Sequence, residues 1–234
     1  MIFQKKHHQI HLTINGGKNL KEISFILIII CLLATYAYAI EYPQLIEHIS
    51  KKLDCNEEQA DDFMHYVDNF VTEVQNIFTN IASHRVADSQ KQDLINRTIQ
   101  KHFKNPTSSI QVSSLNYNRI KTYPVNQYLD HLANLSKKKY IKVKLYYKPD
   151  YLSMGKIYSY QDPVYGHSYE FQIAVWQIFE GRCVDNRPLY IDATQKDFIL
   201  MFHKKKHSKY WTLKIKAIAV KETVSLDEFK QKWR

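Results

Sequence analysis

Four side chains in the second half of the chain carry the chemistry of proton transfer: Tyr147, His167, Glu170 and Asp192. A phenol, imidazole or carboxyl in a dry pocket, with its pKa displaced toward neutrality, can move a proton to or from a bound molecule. Glu170 shares strand parity with Ala174 and Trp176. That parity turns it either toward a pocket or toward water. Nothing in the sequence pairs these four residues. Metal chemistry finds less support. Eight histidines follow residue 39, yet the chain has no His-Glu-x-x-His and no Cys-x-x-Cys, the spacings that gather zinc ligands on one face. His203 and His207 are four apart, but a lysine-rich turn separates them. The Gly-x-Ser-x-Gly elbow of hydrolases and the glycine-rich phosphate loop are also absent. Neither a metal nor a cofactor is expected.

Two cysteines, Cys55 and Cys183, lie beyond the N-terminal segment. In an oxidising compartment they either close a disulfide or stand as two thiols. The densest charge is Lys204, Lys205, Lys206 and Lys209 around His207. It reads as an anion-binding tip for glycans, headgroups or an acidic partner, or as a hairpin turn whose lysines guard against edge pairing.

Those residues need a frame. The 234 residues are 44% hydrophobic and 24% charged, with only 5 Gly and 6 Pro. This balance excludes collagen, coiled coil and a disordered chain. Ile23 to Ala34 is an apolar run broken only by Ser24. Four lysines lie before it and Ala37-Tyr38-Ala39 after it. That is the three-part pattern of a signal peptide over residues 1–39, with an uncleaved membrane anchor as the alternative. The remainder, residues 40–234, has the length of a single domain. The protein is then exported, periplasmic or secreted, and meets a membrane only through its export signal. The net charge of +10 is spread along the chain. Spread charge on an exported protein argues against nucleic acid as a partner.

The N-terminal half has helical spacing. Leu45, Ile49 and Leu53 predict a short helix over Tyr42–Leu53. From Asn56, a natural N-cap, a stripe of Ala60, Phe63, Met64, Val67, Phe70, Val71, Val74, Ile77, Phe78 and Ile81 runs for about six turns. So broad a stripe needs a large apolar surface against it. A second helix is expected over Ser89–Phe103, opened by a Ser89–Gln92 capping box, and a third over Val125–Leu135 with Pro124 in its first turn. Ser109–Ser113 reads as a short strand. From Tyr140 the period changes to two. Strands are expected over Tyr140–Tyr147, Tyr151–Gln161, Ser168–Glu180, Leu189–His203 (one strand or a bent pair) and Tyr210–Val220. A short helix after the Ser225–Glu228 box ends the chain. Helices followed by consecutive long strands mean α+β: helices packed on a strongly curved, mainly antiparallel sheet.

This order resembles the NTF2-like, cone-shaped α+β family. The resemblance covers Asn56 to Val220 and rests on the long helix, the helix Ser89–Phe103, the helix Val125–Leu135 and the strand series. The passage Val125-Asn-Gln-Tyr-Leu-Asp-His-Leu to Tyr140-Ile-Lys-Val-Lys-Leu looks like the third-helix-to-sheet passage of exported members from Bacteroidetes. The resemblance implies a cone, or cystatin-like roll, that hosts enzymes and inert modules alike. With every strong catalytic spacing missing, the expected function is an exported, non-catalytic binding or accessory module. Its partner is another exported protein or a small apolar ligand, with a homodimer through the sheet also open. The alternative is an isomerase- or dehydratase-like enzyme, or a ligand carrier, using the cone interior.

Overall fold

A computed structural model of the chain describes residues 42–135, 140, 142–150, 156–183, 187–204 and 211–232. Residues 1–39, the expected signal peptide, and most of the basic tip lie outside these. The chain divides into Met1–Leu45 and a second compact unit, Ile46–Arg234. The second unit is described here.

Helix α1 covers residues 42–53 and buries Ile46, Ile49 and Leu53. Asp54 then takes a left-handed conformation, φ 50°, which ends the helix. Helix α2, Glu57–Ala82, opens with a complete capping box. The Asn56 side chain accepts from the Gln59 N–H, and the Gln59 side chain accepts from the Asn56 N–H. Two orphan donors are satisfied this way, and Glu57 and Glu58 face the positive end of the helix dipole. Helix α3, Asp88–His102, starts at Ala87 with no side-chain cap. The expected Ser89–Gln92 box does not form, because Ser89 already lies inside the first turn. Next come β1 (Ser109–Ser114), β2 (Tyr117–Pro124) and helix α4 (Val125–Ala133). Strands β3 (Lys142–Asp150), β4 (Tyr158–Asp162), β5 (Gly166–Arg182), β6 (Pro188–Lys204) and β7 (Trp211–Val224) follow, and helix α5 (Leu226–Lys232) closes the chain.

The seven strands form one mixed, open sheet in the order β2-β1-β7-β6-β5-β3, with β4 beside the first half of β5. Every pairing is antiparallel except β1 with β7. Strand β2 was not apparent in the sequence. It is an edge strand whose Ile120 is half exposed, so it lacks the apolar alternation that marks its neighbours. The β4–β5 turn is closed by Asp162 and Gly166. Asp162 accepts from the N–H groups of Val164 (2.9 Å) and Tyr165 (3.1 Å), and Gly166 sits at φ +74°, a conformation that glycine enters without a Cβ penalty. Lys104 Nζ lies 2.5 Å from the buried Asp162 carboxylate and ties this turn to the segment after α3.

The apolar flank of α2 lies along one face of the sheet. Phe63 packs on Phe171 and Phe202, and Phe78 meets Phe103, Tyr128 and Tyr147. Full burial of each such ring contributes about 1.5–3 kcal/mol. On the opposite face α5 sets Phe229 against Trp176 and Ala193, with Ser225 and Glu228 forming the expected capping box. The α+β class and the curved, mainly antiparallel sheet are thus as expected from the sequence.

Candidate functional site

Strand alternation assigns the faces. Along β6 the even positions share the face that α2 covers. At one end these are Phe198, Leu200 and Phe202, all fully buried. Toward the other end the same parity holds Tyr190, Asp192, Thr194 and Lys196. Opposite them stand Phe179 and Gln177 of β5, and Tyr147 of β3 pairs with Gln177. The interior of the sheet therefore changes from aromatic to polar along its length.

Within this polar end Asp192, Thr194 and Lys196 are each no more than 4% exposed. Tyr190 organises one side. Its phenol donates to an Asp192 carboxylate oxygen and accepts from the Leu115 N–H (2.8 Å). The Ser114 hydroxyl, 2.7 Å away, must then donate to it, since a phenol has one proton to give. Ser113, Thr223 and Thr194 continue as a chain of hydroxyls. The β1–β2 hairpin thus supplies three of the groups, beside a register shift between Val112 and Ser114.

Burial pushes the Asp192 carboxyl up to about 6, against the pull of the Tyr190 hydrogen bond and of Lys196. The same burial pushes the Lys196 ammonium down to about 8, with Asp192 opposing. Tyr190 rises to about 12 through burial and its bond to Asp192. Desolvation also holds Tyr147 well above its ordinary value. Two groups here lack hydrogen-bond partners. Lys196 Nζ bonds to nothing among the described residues, and Gln177 Oε1 is buried and unbonded. Gln177 Oε1, an acceptor out of water and unmatched on the same face as the Lys196 side chain, leaves a vacancy in hydrogen bonding that costs energy unless a third molecule fills it.

Two of the four candidate proton-transfer residues, Asp192 and Tyr147, come to this interior. Glu170 does not. Its parity is that of Trp176, which places it on the opposite face, where it pairs with Lys216 at 2.5 Å in partial contact with solvent. His167 is exposed at the start of β5, edge-on to the Tyr169 ring. It lines a cleft of about 1050 Å³ between the start of α2 and the strand ends. The floor of this cleft is Phe63, with Tyr66 and Asn69 on the helix side and Tyr169 and Trp211 on the sheet side.

Cys55 and Cys183 are both thiols and are not bonded to each other. Cys55 lines the cleft beside His167, at one end of the 17-residue strand β5. Cys183 follows the last residue of that strand. At roughly 3.3 Å per residue the two ends stand tens of ångströms apart, whereas a disulfide requires Cα atoms within about 7 Å. Of the basic tip, Lys205, Lys206 and Lys209 lie outside the described residues, and only the backbone of Lys204, the last residue of β6, lies within them. No group of three or more His, Cys, Asp or Glu able to hold a metal occurs among the described residues. Among them, too, no helix is long and apolar enough to cross a membrane.

Lys196, Gln177, Tyr190 and Thr194 were not singled out by sequence reasoning. The signal was available. In Tyr190-x-Asp192-x-Thr194-x-Lys196-x-Phe198-x-Leu200-x-Phe202, polar and apolar residues occupy one parity, so polar groups are carried on the face that must be buried. Comparison of the chain with protein-family profiles, curated proteins and solved structures gives no match.

Proposed function

We propose that this chain is an exported, NTF2-like binding module that holds a small ligand against the polar end of its sheet without turning it over. The NTF2-like part is supported by the order of elements and by a long helix laid against one face of a bent sheet of long strands. Export is supported by the three-part pattern of residues 1–39. The observation that carries the binding reading is the buried, unbonded Gln177 Oε1 on the same face as the buried Lys196 side chain. A ligand oxygen that accepts from the ammonium and a hydroxyl that donates to the amide oxygen would complete both. The surrounding Phe179, Tyr147 and Phe198 rings suit an apolar body. The ligand chemistry is therefore an apolar molecule with a hydroxyl or hydroxy-acid end.

The test is a thermal-shift screen of hydroxylated lipids, sterols and hydroxy acids at pH 7, followed by calorimetry. A true ligand raises Tm in proportion to ln(1 + [L]/Kd). Lys196→Met and Gln177→Leu should each weaken it at least tenfold. Binding that ignores both substitutions refutes the site.

The displacement of Asp192 to about 6 and Lys196 to about 8 favours a second reading. Such a pair brackets neutral pH and suits acid–base chemistry on the same ligand. Turnover of the bound molecule that disappears in Asp192→Asn would select this reading over the first.

A further inference from the structure

The cleft at the other end of the sheet is independent of Lys196 and Gln177. Tyr169 and Gln177 are eight residues apart on β5, roughly 26 Å along a strand. Its geometry points to a site for a neutral oligosaccharide.

Three observations lead there. The first is the surface that α2 presents. Asp62, Tyr66 and Asn69 stand at i, i+4 and i+7, so they form one stripe along the cleft wall. All three are exposed, Tyr66 at 40%, and none makes a side-chain bond with another described residue. An acceptor, a ring and an amide in sequence along a groove match a chain of hydroxyls and C–H faces. The second observation is the facing wall. Tyr169 and Trp211 are only partly buried, and both pack on the Phe202 and Phe63 cluster, with Trp211 edge-on to Phe63 at 5.9 Å. That packing holds the rings in place before anything binds, so little ordering cost remains for the complex. Sugar rings have apolar C–H faces that stack on such platforms.

The third observation is charge. The chain as a whole is strongly basic, yet the charged side chains lining the cleft, apart from its histidines, are the carboxylates Asp54 and Asp62. An anionic ligand is disfavoured there, which separates this cleft from the lysine tip. About 1050 Å³ is at the upper end for small-molecule pockets, so a short oligomer suits it better than a single sugar. The acidic, aromatic lining has one chemical rival, a quaternary ammonium held by ring faces.

The experiment is calorimetric titration of the full chain with hexasaccharides of glucose and of N-acetylglucosamine, with a heparin hexasaccharide and tetramethylammonium as separate arms. At least one neutral hexasaccharide should bind. Tyr66→Ala, Asn69→Ala and Asp62→Ala should each weaken it fivefold or more, without moving Tm because these positions are exposed, and Glu170→Gln should leave it unchanged. Absence of binding to every neutral hexasaccharide overturns the proposal. So does binding indifferent to Tyr66→Ala and Asn69→Ala. Tighter binding of heparin or tetramethylammonium that is lost in those same variants overturns it as well. Because no tested residue touches the Lys196–Gln177 site, failure here leaves the interior reading intact, and the reverse also holds.

Discussion

Lys196→Met should make the protein more stable at neutral pH, although it removes half of a charge pair. In the fold the Lys196 ammonium titrates near 8 rather than near 10.5. At about 1.4 kcal/mol per pKa unit, keeping it charged inside costs about 3 kcal/mol, even after the attraction of Asp192 is counted. The unfolded chain holds this proton up to pH 10.5, whereas the folded chain releases it near 8. Between those values the unfolded state binds more protons, so stability rises with pH. Below pH 8 the penalty is present in full, and above 10.5 it is gone. Methionine has a similar length and no charge, so it removes the penalty at every pH. Asp192, losing its cation, takes up a proton more readily and offsets part of the gain. The expected result is a variant more stable than the parent by about 2–3 kcal/mol at pH 7, or roughly 4–12 °C in Tm for a chain of this size. Urea melts of both proteins at half-unit steps from pH 6.5 to 10.5 would measure the difference, in which other titrating groups cancel. The gap should be widest below pH 8 and should close as pH rises. A variant less stable than the parent at pH 7, or a gap that does not change with pH, would show that the ammonium is satisfied in the fold and that the argument for a missing partner is wrong.

Further outcomes follow from the same geometry. Asp192 is held near 6 against an ordinary 3.8, so its penalty of about 3 kcal/mol is present above pH 6 and disappears as pH falls to 4. Asp192→Asn should abolish that acid-side gain in urea melts taken from pH 7 to 4. A Cβ on Gly181 would lie 2.5 Å from the Tyr140 ring, so Gly181→Ala should cost about 1–3 kcal/mol by overpacking, read by chemical denaturation. Phe63→Ala removes a ring that bridges α2 to Phe171 and Phe202 and should cost about 3–5 kcal/mol in the same assay. Asn56→Ala should cost about 1 kcal/mol and speed amide exchange in the first turn of α2.

The legibility of the molecule follows where its energy lies. Helix α2 could be read because ten of its residues are buried on a single flank, and a flank that large leaves a periodic trace. The long strands could be read for the same reason. Strand β2 could not, since Arg119, Ile120 and Lys121 are all exposed and its place comes from backbone pairing with β1, which the side chains do not encode. The Ser89 cap failed by two residues because Ala87, with no side-chain oxygen, begins α3. The side on which Glu170 lies could not be read, because parity states which residues share a face but not which face α2 covers. The Asp192 carboxyl was identified, while Lys196 was passed over in a chain with 33 basic residues. A lysine on the apolar parity of a strand carries more information than one in a run.

The arrangement of β1 has a bearing on how the chain folds. Ser109 and Ile110 hydrogen-bond alongside Ala217 and Ile218, so a segment made early finds its neighbour only when the final strand arrives. Contacts so distant in sequence slow folding. The centre of the sheet therefore stays unassembled until β7, the last strand, is in place.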